Sequence, residues 1–223
     1  MTPALRLVVL ISGRGSNLLA IEAAIAAGQL PAEIVLVVSN RPEARGLGLA
    51  AERGLPTAVV DHQQFASREA FDQALQQRVA EATPDLVVLA GFMRLLGVEF
   101  VTQYAGRLIN IHPSLLPAYP GLDTHKRVLQ DGDRQHGCSV HYVTLDVDAG
   151  PVIRQFAVPV LAGDDEARLA QRVLGAEHQL YPEAVGMIAA GRVQLKNDQV
   201  LIDGQAVTSA ERRREWHETS AVS

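Results

Sequence analysis

A single cysteine, Cys138, stands in a chain of 223 residues. It excludes an internal disulfide and a metal site built from cysteine alone. No run of about 18 apolar residues occurs, which excludes an ordinary membrane-spanning helix. Met1-Thr2-Pro3 lacks the basic start of a secretory signal peptide, so a cytoplasmic location is expected, with no membrane partner. An excess of positive charge is also missing. Twenty Lys and Arg against 25 Asp and Glu leave a net charge of −5, which argues against nucleic acid as the main partner. Aromatic residues make up only 4% of the chain, and there is no internal repeat, low-complexity segment or linker.

Hydrophobic residues are plentiful, at 48%, and they fall in short blocks. Leu5–Ile11, Ile34–Val38, Thr57–Val60 and Leu86–Ala90 are runs of buried-strand length, and a fifth begins at Arg107. Helical segments lie between them. Leu18, Leu19, Ile21, Ala24 and Ile25 recur at helical spacing until Gly28, an alanine-rich helix ends near Gly54, and a longer helix spans about Ser67 to Ala82. This alternation predicts an α/β fold, a Rossmann-like, mostly parallel sheet with helices on both faces. After Pro120 the pattern changes. A short helix over His125–Leu129 is followed by strands over Ser139–Leu145 and Val152–Val158. A long helix from about Asp164 to Gly191 follows, kinked or broken at Pro182, and then a hairpin over Val193–Leu195 and Gln199–Ile202. The residues from Glu211 onward are polar and expected to fray.

Two stretches carry candidate chemistry. In Arg107–Pro117 an apolar strand runs into two prolines. Alternation places Asn110 and His112 side by side, and Pro113 keeps His112 extended at the strand end. An amide N–H and an imidazolium can both donate to a developing oxyanion, which suits carbonyl or acyl chemistry. The second stretch is Gly13-Arg14-Gly15-Ser16-Asn17, between a strand and a helix. Glycines there permit close backbone approach, and the free N–H groups of a helix start attract a phosphate. Leu18 occupies the sixth position of the GxGxxG pattern and Ser39-Asn40 stand where a ribose-binding acid is wanted, so a dinucleotide is disfavoured and a small phosphorylated metabolite preferred. The same loop also reads as a plain turn with Ser16 or Asn17 as helix cap, and Asp146–Pro151 as a turn between strands. His62, His125, His136, His141 and His217 show no familiar metal spacing, so no metal is expected.

Gly15-Ser16-Asn17, Asn110–Pro117 and Asp148-Ala149-Gly150-Pro151, together with Leu86–Arg94 and Tyr119-Pro120-Gly121, form a specific set of motifs in order and spacing. Over about residues 5–205 the chain resembles the folate-dependent phosphoribosylglycinamide formyltransferases, or glycinamide ribonucleotide transformylases. The resemblance implies formyl transfer from 10-formyltetrahydrofolate, as co-substrate, to the amino group of glycinamide ribonucleotide in de novo purine biosynthesis. It places Asn110, His112 and Asp148 on the catalytic trio, and Gly15, Ser16, Asn17 and Glu177 on the ribonucleotide. Met93, Arg94, Leu95 and Leu96, with Asn110 and the loop Thr144, Leu145, Asp146, Val147 and Asp148, fall on the folate pocket, and Arg68 near the folate's glutamate tail. Leu174 and Asp123 depart from the pattern of some members. Asp148 would favour the imidazolium of His112 by opposite charge and order a water that carries protons. The implied organisation is one formyltransferase domain over 1–205, with a phosphate-binding half at about 1–105, a catalytic and folate-binding half at about 106–205, and a polar tail at 206–223. The expected partners are small molecules, with a homodimer left open. Two rivals remain. A formyltetrahydrofolate hydrolase usually carries an extra N-terminal domain, for which a first strand at Leu5 leaves no room; the other rival is a non-catalytic folate- or nucleotide-binding module.

Overall fold

All five apolar blocks of the first half become strands: β1 (Leu5–Ile11), β2 (Ala32–Ser39), β3 (Thr57–Val59), β4 (Leu86–Leu89) and β5 (Leu108–His112). The computed structural model describes residues 3–217 and divides them into two units, 3–110 with 142–145 and 111–141 with 146–217. In the first unit the strands pair in parallel in the order β3-β2-β1-β4-β5, the boundary falling after Asn110 on β5. Four helices connect them: α1 (Ser16–Ala26), α2 (Arg45–Glu52), α3 (Arg68–Glu81) and α4 (Val98–Gln103). Val8, Leu10, Leu36, Val38, Val87, Leu89 and Leu108 turn one face of the sheet to Phe71, Leu75 and Val79 of α3 and to Phe100, Val101 and Tyr104 of the α4 segment. The alternate residues Leu7, Val9 and Ile11, also fully buried, face the other way, where Ile11 reaches Gly46 on α2. Burial on both faces explains why these strands read as continuous apolar runs. The six-residue α4 has too few turns to show a period in the sequence and was not anticipated.

The second unit contains α5 (Thr124–Asp131), β6 (Gln135–Tyr142), β7 (Val152–Pro159), α6 (Glu166–Ala189), β8 (Val193–Lys196), β9 (Gln199–Ile202), β10 (Gln205–Ala206), α7 (Ser209–Arg212) and β11 (Arg213–Glu215). β6 and β7 are antiparallel, and β8, β9 and β10 form a separate three-stranded antiparallel sheet. β6 starts at Gln135 rather than Ser139 and ends before Val143–Leu145. Its extra stretch includes Gly137, where a Cβ would stand 2.0 Å from the Phe156 carbonyl oxygen, so only glycine lets β6 lie this close to β7.

Two further expectations are corrected. α6 runs through Pro182 without the break that a proline can cause, because Leu180, Tyr181, Ala184 and Val185 on either side are fully buried and their packing outweighs the missing N–H. The polar end does not fray before residue 217. Thr208 and Glu211 form a reciprocal cap on α7, β11 pairs in parallel with Gln155–Ala157 of β7, and the Trp216 N–H donates to Ala157 O at 2.8 Å. The Trp216 ring rests against Gly175 of α6. β11 is wholly exposed and held by backbone pairing, so no hydrophobic alternation announces it. Residues 218–223 of the expected tail lie outside the described residues.

Candidate active site

His112, at the end of β5, starts a turn that Ser114, Ser139 and Gln155 of the same unit fasten. Ser114 Oγ donates to Ala118 O at 2.6 Å, and the Leu116 N–H donates to Ser139 Oγ at 3.1 Å. Ser139 Oγ donates to Ser114 O, and Gln155 Nε2 donates to Leu116 O at 2.9 Å. All three side chains are buried, so their mutual hydrogen bonds hold the turn in one shape. The turn leads to Tyr119 in the left-handed region, at φ 55°, with its carbonyl oxygen 2.9 Å from His112 Nε2. The other ring nitrogen, Nδ1, lies 3.3 Å from Asp148 Oδ2. Asp148 is itself left-handed, at φ 54°, and its Oδ2 accepts the Gly121 N–H at 2.8 Å. The Tyr119 carbonyl can only accept, so Nε2 is the donor to it, while the carboxylate lies beside Nδ1. Asn110 is half-buried and lies two positions before His112 on the same strand. An amide, an imidazole and a carboxylate can together stabilise an oxyanion and move a proton.

In the first unit, the loop after β1 fits an anion. Gly15, at φ 73°, caps α1 with no side-chain hydrogen bond, so neither Ser16 nor Asn17 is the N-cap. No acidic residue occupies the first turn of α1, which leaves its positive end uncompensated. Gly46 N–H donates to Gly13 O at 2.9 Å, and a Cβ on Gly15 would come within 2.7 Å of Gly46 Cα. The loop's shape therefore depends on glycine at 15 and at 46. On α6 of the second unit, Glu177 is buried, not the exposed helix acid that its sequence context allows.

The residues assigned to the folate divide between the units. Met93 is 64% exposed, Leu95 60% and Leu145 59%, all in the first unit, and Val147 is 52% exposed in the second. Leu96 packs against the core, Arg94 lies over the Phe71 ring at 5.0 Å, and Arg68 donates to Leu95 O at 3.1 Å. Arg68 also stands 3.6 Å from Asp72, whose carboxyl is raised by burial despite the nearby Arg68 and Arg94. Thr144 is half-buried and Asp146 exposed.

Two participants escaped the sequence reading. His141, one residue before the end of β6, places Nε2 3.7 Å from Asp148 Oδ1, so this carboxylate lies between two imidazoles. Its signal, a His inside an apolar strand, was present, but its partner is close only in three dimensions. Tyr119 contributes a backbone carbonyl, which leaves no mark in a sequence. Its hydroxyl is within hydrogen-bonding distance of Asp133 and Asp131, and donation to Asp133 first of all raises its pKa. Its ring also packs edge-on against His136. His136 in turn lies 3.0 Å from His125, Nε2 to Nδ1, and burial pushes its pKa down to about 4. Among the described residues no group of three or more His, Cys, Asp or Glu is placed to hold a metal ion, and no helix is long and apolar enough to cross a membrane.

Residues 5–185 match the formyl transferase family. Over 201 residues the chain is 48% identical to the phosphoribosylglycinamide formyltransferase of Escherichia coli K12, covering 90% of this chain and 95% of that one. Over 194 residues it is 49% identical to the trifunctional purine biosynthetic protein adenosine-3 of Drosophila pseudoobscura pseudoobscura, covering 86% of this chain and 14% of that one. The solved phosphoribosylglycinamide formyltransferase of Coxiella burnetii matches with a TM-score of 0.90 at 48% identity, over 94% of this chain and 99% of that one. The chain belongs to the phosphoribosylglycinamide formyltransferase branch of the formyl transferase family.

Proposed function

We propose that the chain transfers the formyl group of 10-formyltetrahydrofolate to the amino group of glycinamide ribonucleotide, a step of purine biosynthesis. The observation that carries this reading is the pairing of the buried His112 with Asp148 at 3.3 Å, at the end of the strand that also bears Asn110. Attack of the amine on the formyl carbon forms a C–N bond and leaves an oxyanion. Asn110 donates a hydrogen bond to that oxygen, and His112 Nε2 donates to it when the oxyanion takes the place of the Tyr119 carbonyl, each donor being worth about 10²–10³ in rate. Asp148 orients a water. That water takes the proton from the attacking nitrogen and returns one to the folate nitrogen as its bond to the formyl carbon breaks. Gly15, Ser16 and Asn17 hold the phosphate, with Glu177 reaching the ribonucleotide. Met93, Arg94, Leu95, Leu96, Thr144 and Leu145 of the first unit are assigned to the folate, as are Asp146 and Val147 of the second, and Arg68 is assigned to its glutamate tail. A two-arm assay of folate product tests this. Formyl loss from 10-formyltetrahydrofolate should require glycinamide ribonucleotide and yield the formylated ribonucleotide. Equal rates without the ribonucleotide would establish a hydrolase instead, and no turnover in either arm would establish a binding module.

A further inference from the structure

Ser12, the residue between β1 and the phosphate loop, has no part in the chemistry above, yet it is buried, with its N–H and its hydroxyl both engaged. Its N–H donates to Gly91 O at 3.1 Å, and its hydroxyl donates to Asn40 Oδ1 at 2.5 Å. The same oxygen accepts the Met93 N–H at 2.8 Å. Asn40 is itself buried beyond the end of β2, and its carbonyl oxygen lies 2.8 Å from His62 Nδ1. These contacts join the C-terminal ends of three neighbouring strands, β2, β1 and β4, the edge of a parallel sheet at which ligands bind. One side of the joint is Gly13–Asn17, and the other is Met93–Leu96. One oxygen atom thus connects the segment assigned to the ribonucleotide phosphate with the segment assigned to the folate.

We infer that Ser12 is a positioning residue that couples the two ligand segments, so that each substrate binds more tightly when the other is present. The inference rests on the functional reading given above. When a phosphate settles the backbone at 13–17, Ser12 is fixed at its base, and its oxygen holds the Met93 N–H and the start of the apolar segment in place. The return effect has the same size, because coupling between two binding equilibria is reciprocal. Alanine at position 12 removes both hydroxyl bonds, leaves the Met93 N–H without its acceptor, and keeps the backbone link to Gly91.

Calorimetry with tetrahydrofolate, which lacks the transferable group, measures this without turnover. Its affinity is determined with and without saturating glycinamide ribonucleotide. The unchanged protein should bind tetrahydrofolate at least about 5-fold more tightly with the ribonucleotide present, the lower end of ordinary coupling. In Ser12→Ala that ratio should fall to within about 2-fold of unity, while the ribonucleotide alone still binds. Ser12→Thr, which keeps the oxygen, should restore the ratio. A ratio of one in the unchanged protein, an undiminished ratio in Ser12→Ala, or an alanine-like Ser12→Thr that melts as the unchanged protein does would each overturn the inference. If the unchanged protein binds neither ligand, the functional reading beneath it fails instead.

Discussion

The close approach of Gly15 to Gly46 lets two physical effects be separated by experiment. Each alanine places a methyl group about where the other residue's backbone lies: 2.7 Å from Gly46 Cα in Gly15→Ala, and 2.8 Å from Gly15 Cα in Gly46→Ala. Overpacking of this kind costs about 1–3 kcal/mol. Gly15 also has φ 73°, where a side chain adds about 1–2 kcal/mol, whereas Gly46 lies outside the left-handed region. Gly46→Ala should therefore lose about 1–3 kcal/mol and Gly15→Ala about 2–5 kcal/mol. Part of each loss can be relieved by moving the loop after β1 away from α2. It then shows as weaker ribonucleotide binding, tenfold for about each 1.4 kcal/mol. Urea unfolding and calorimetric titration with glycinamide ribonucleotide together capture both routes, and tetrahydrofolate alone should bind nearly as before. The double variant should lose less than the sum, because both methyl groups press on one contact. A Gly15→Ala protein with unaltered urea midpoint and unaltered ribonucleotide affinity would refute the reasoning.

Three further outcomes are expected. Asp148→Asn should remove most formyl transfer while the melting temperature stays close to normal, and Asn110→Ala should lower kcat by about 10²–10³ with little change in KM; steady-state kinetics on folded protein decide both. Burial keeps His136 neutral down to about pH 4, whereas the unfolded chain takes up that proton near 6.5, so the unfolded state binds more protons between these values. Stability should accordingly fall as pH drops from 6.5 towards 4, and His136→Gln should flatten that part of a melting profile; an unchanged slope would contradict the burial. Trp216→Ala removes the ring from Gly175 and should destabilise by about 1–3 kcal/mol, read by urea unfolding, whereas a fraying end would give no change.

Much of this protein was legible from residue order alone, and the reason is local. A strand covered on both faces is apolar at most positions, so β1, β2, β4 and β5 announce themselves within a few residues. Asn110 and His112 were legible as a pair because a strand repeats every two residues, and the Gly13–Asn17 loop because the turn into α1 uses a glycine in the left-handed region. What stayed hidden depends on groups distant along the chain or on backbone atoms, which have no letter. Gly15 and Gly46 are 31 positions apart, and neither reveals that the other fills its side-chain space. His141 reads as an apolar-strand histidine until Asp148 is seen 3.7 Å away, and the Tyr119 carbonyl at His112 requires a fold to aim it. β11 is a strand only because the backbone of β7 lies beside it. Local periodicity and turn chemistry thus determine which residues form strands, helices and the phosphate-type loop. The partners of the histidines, the shape of the glycine contact and the joint at Ser12 are decided by tertiary packing, because each is a distance between segments that no local rule sets.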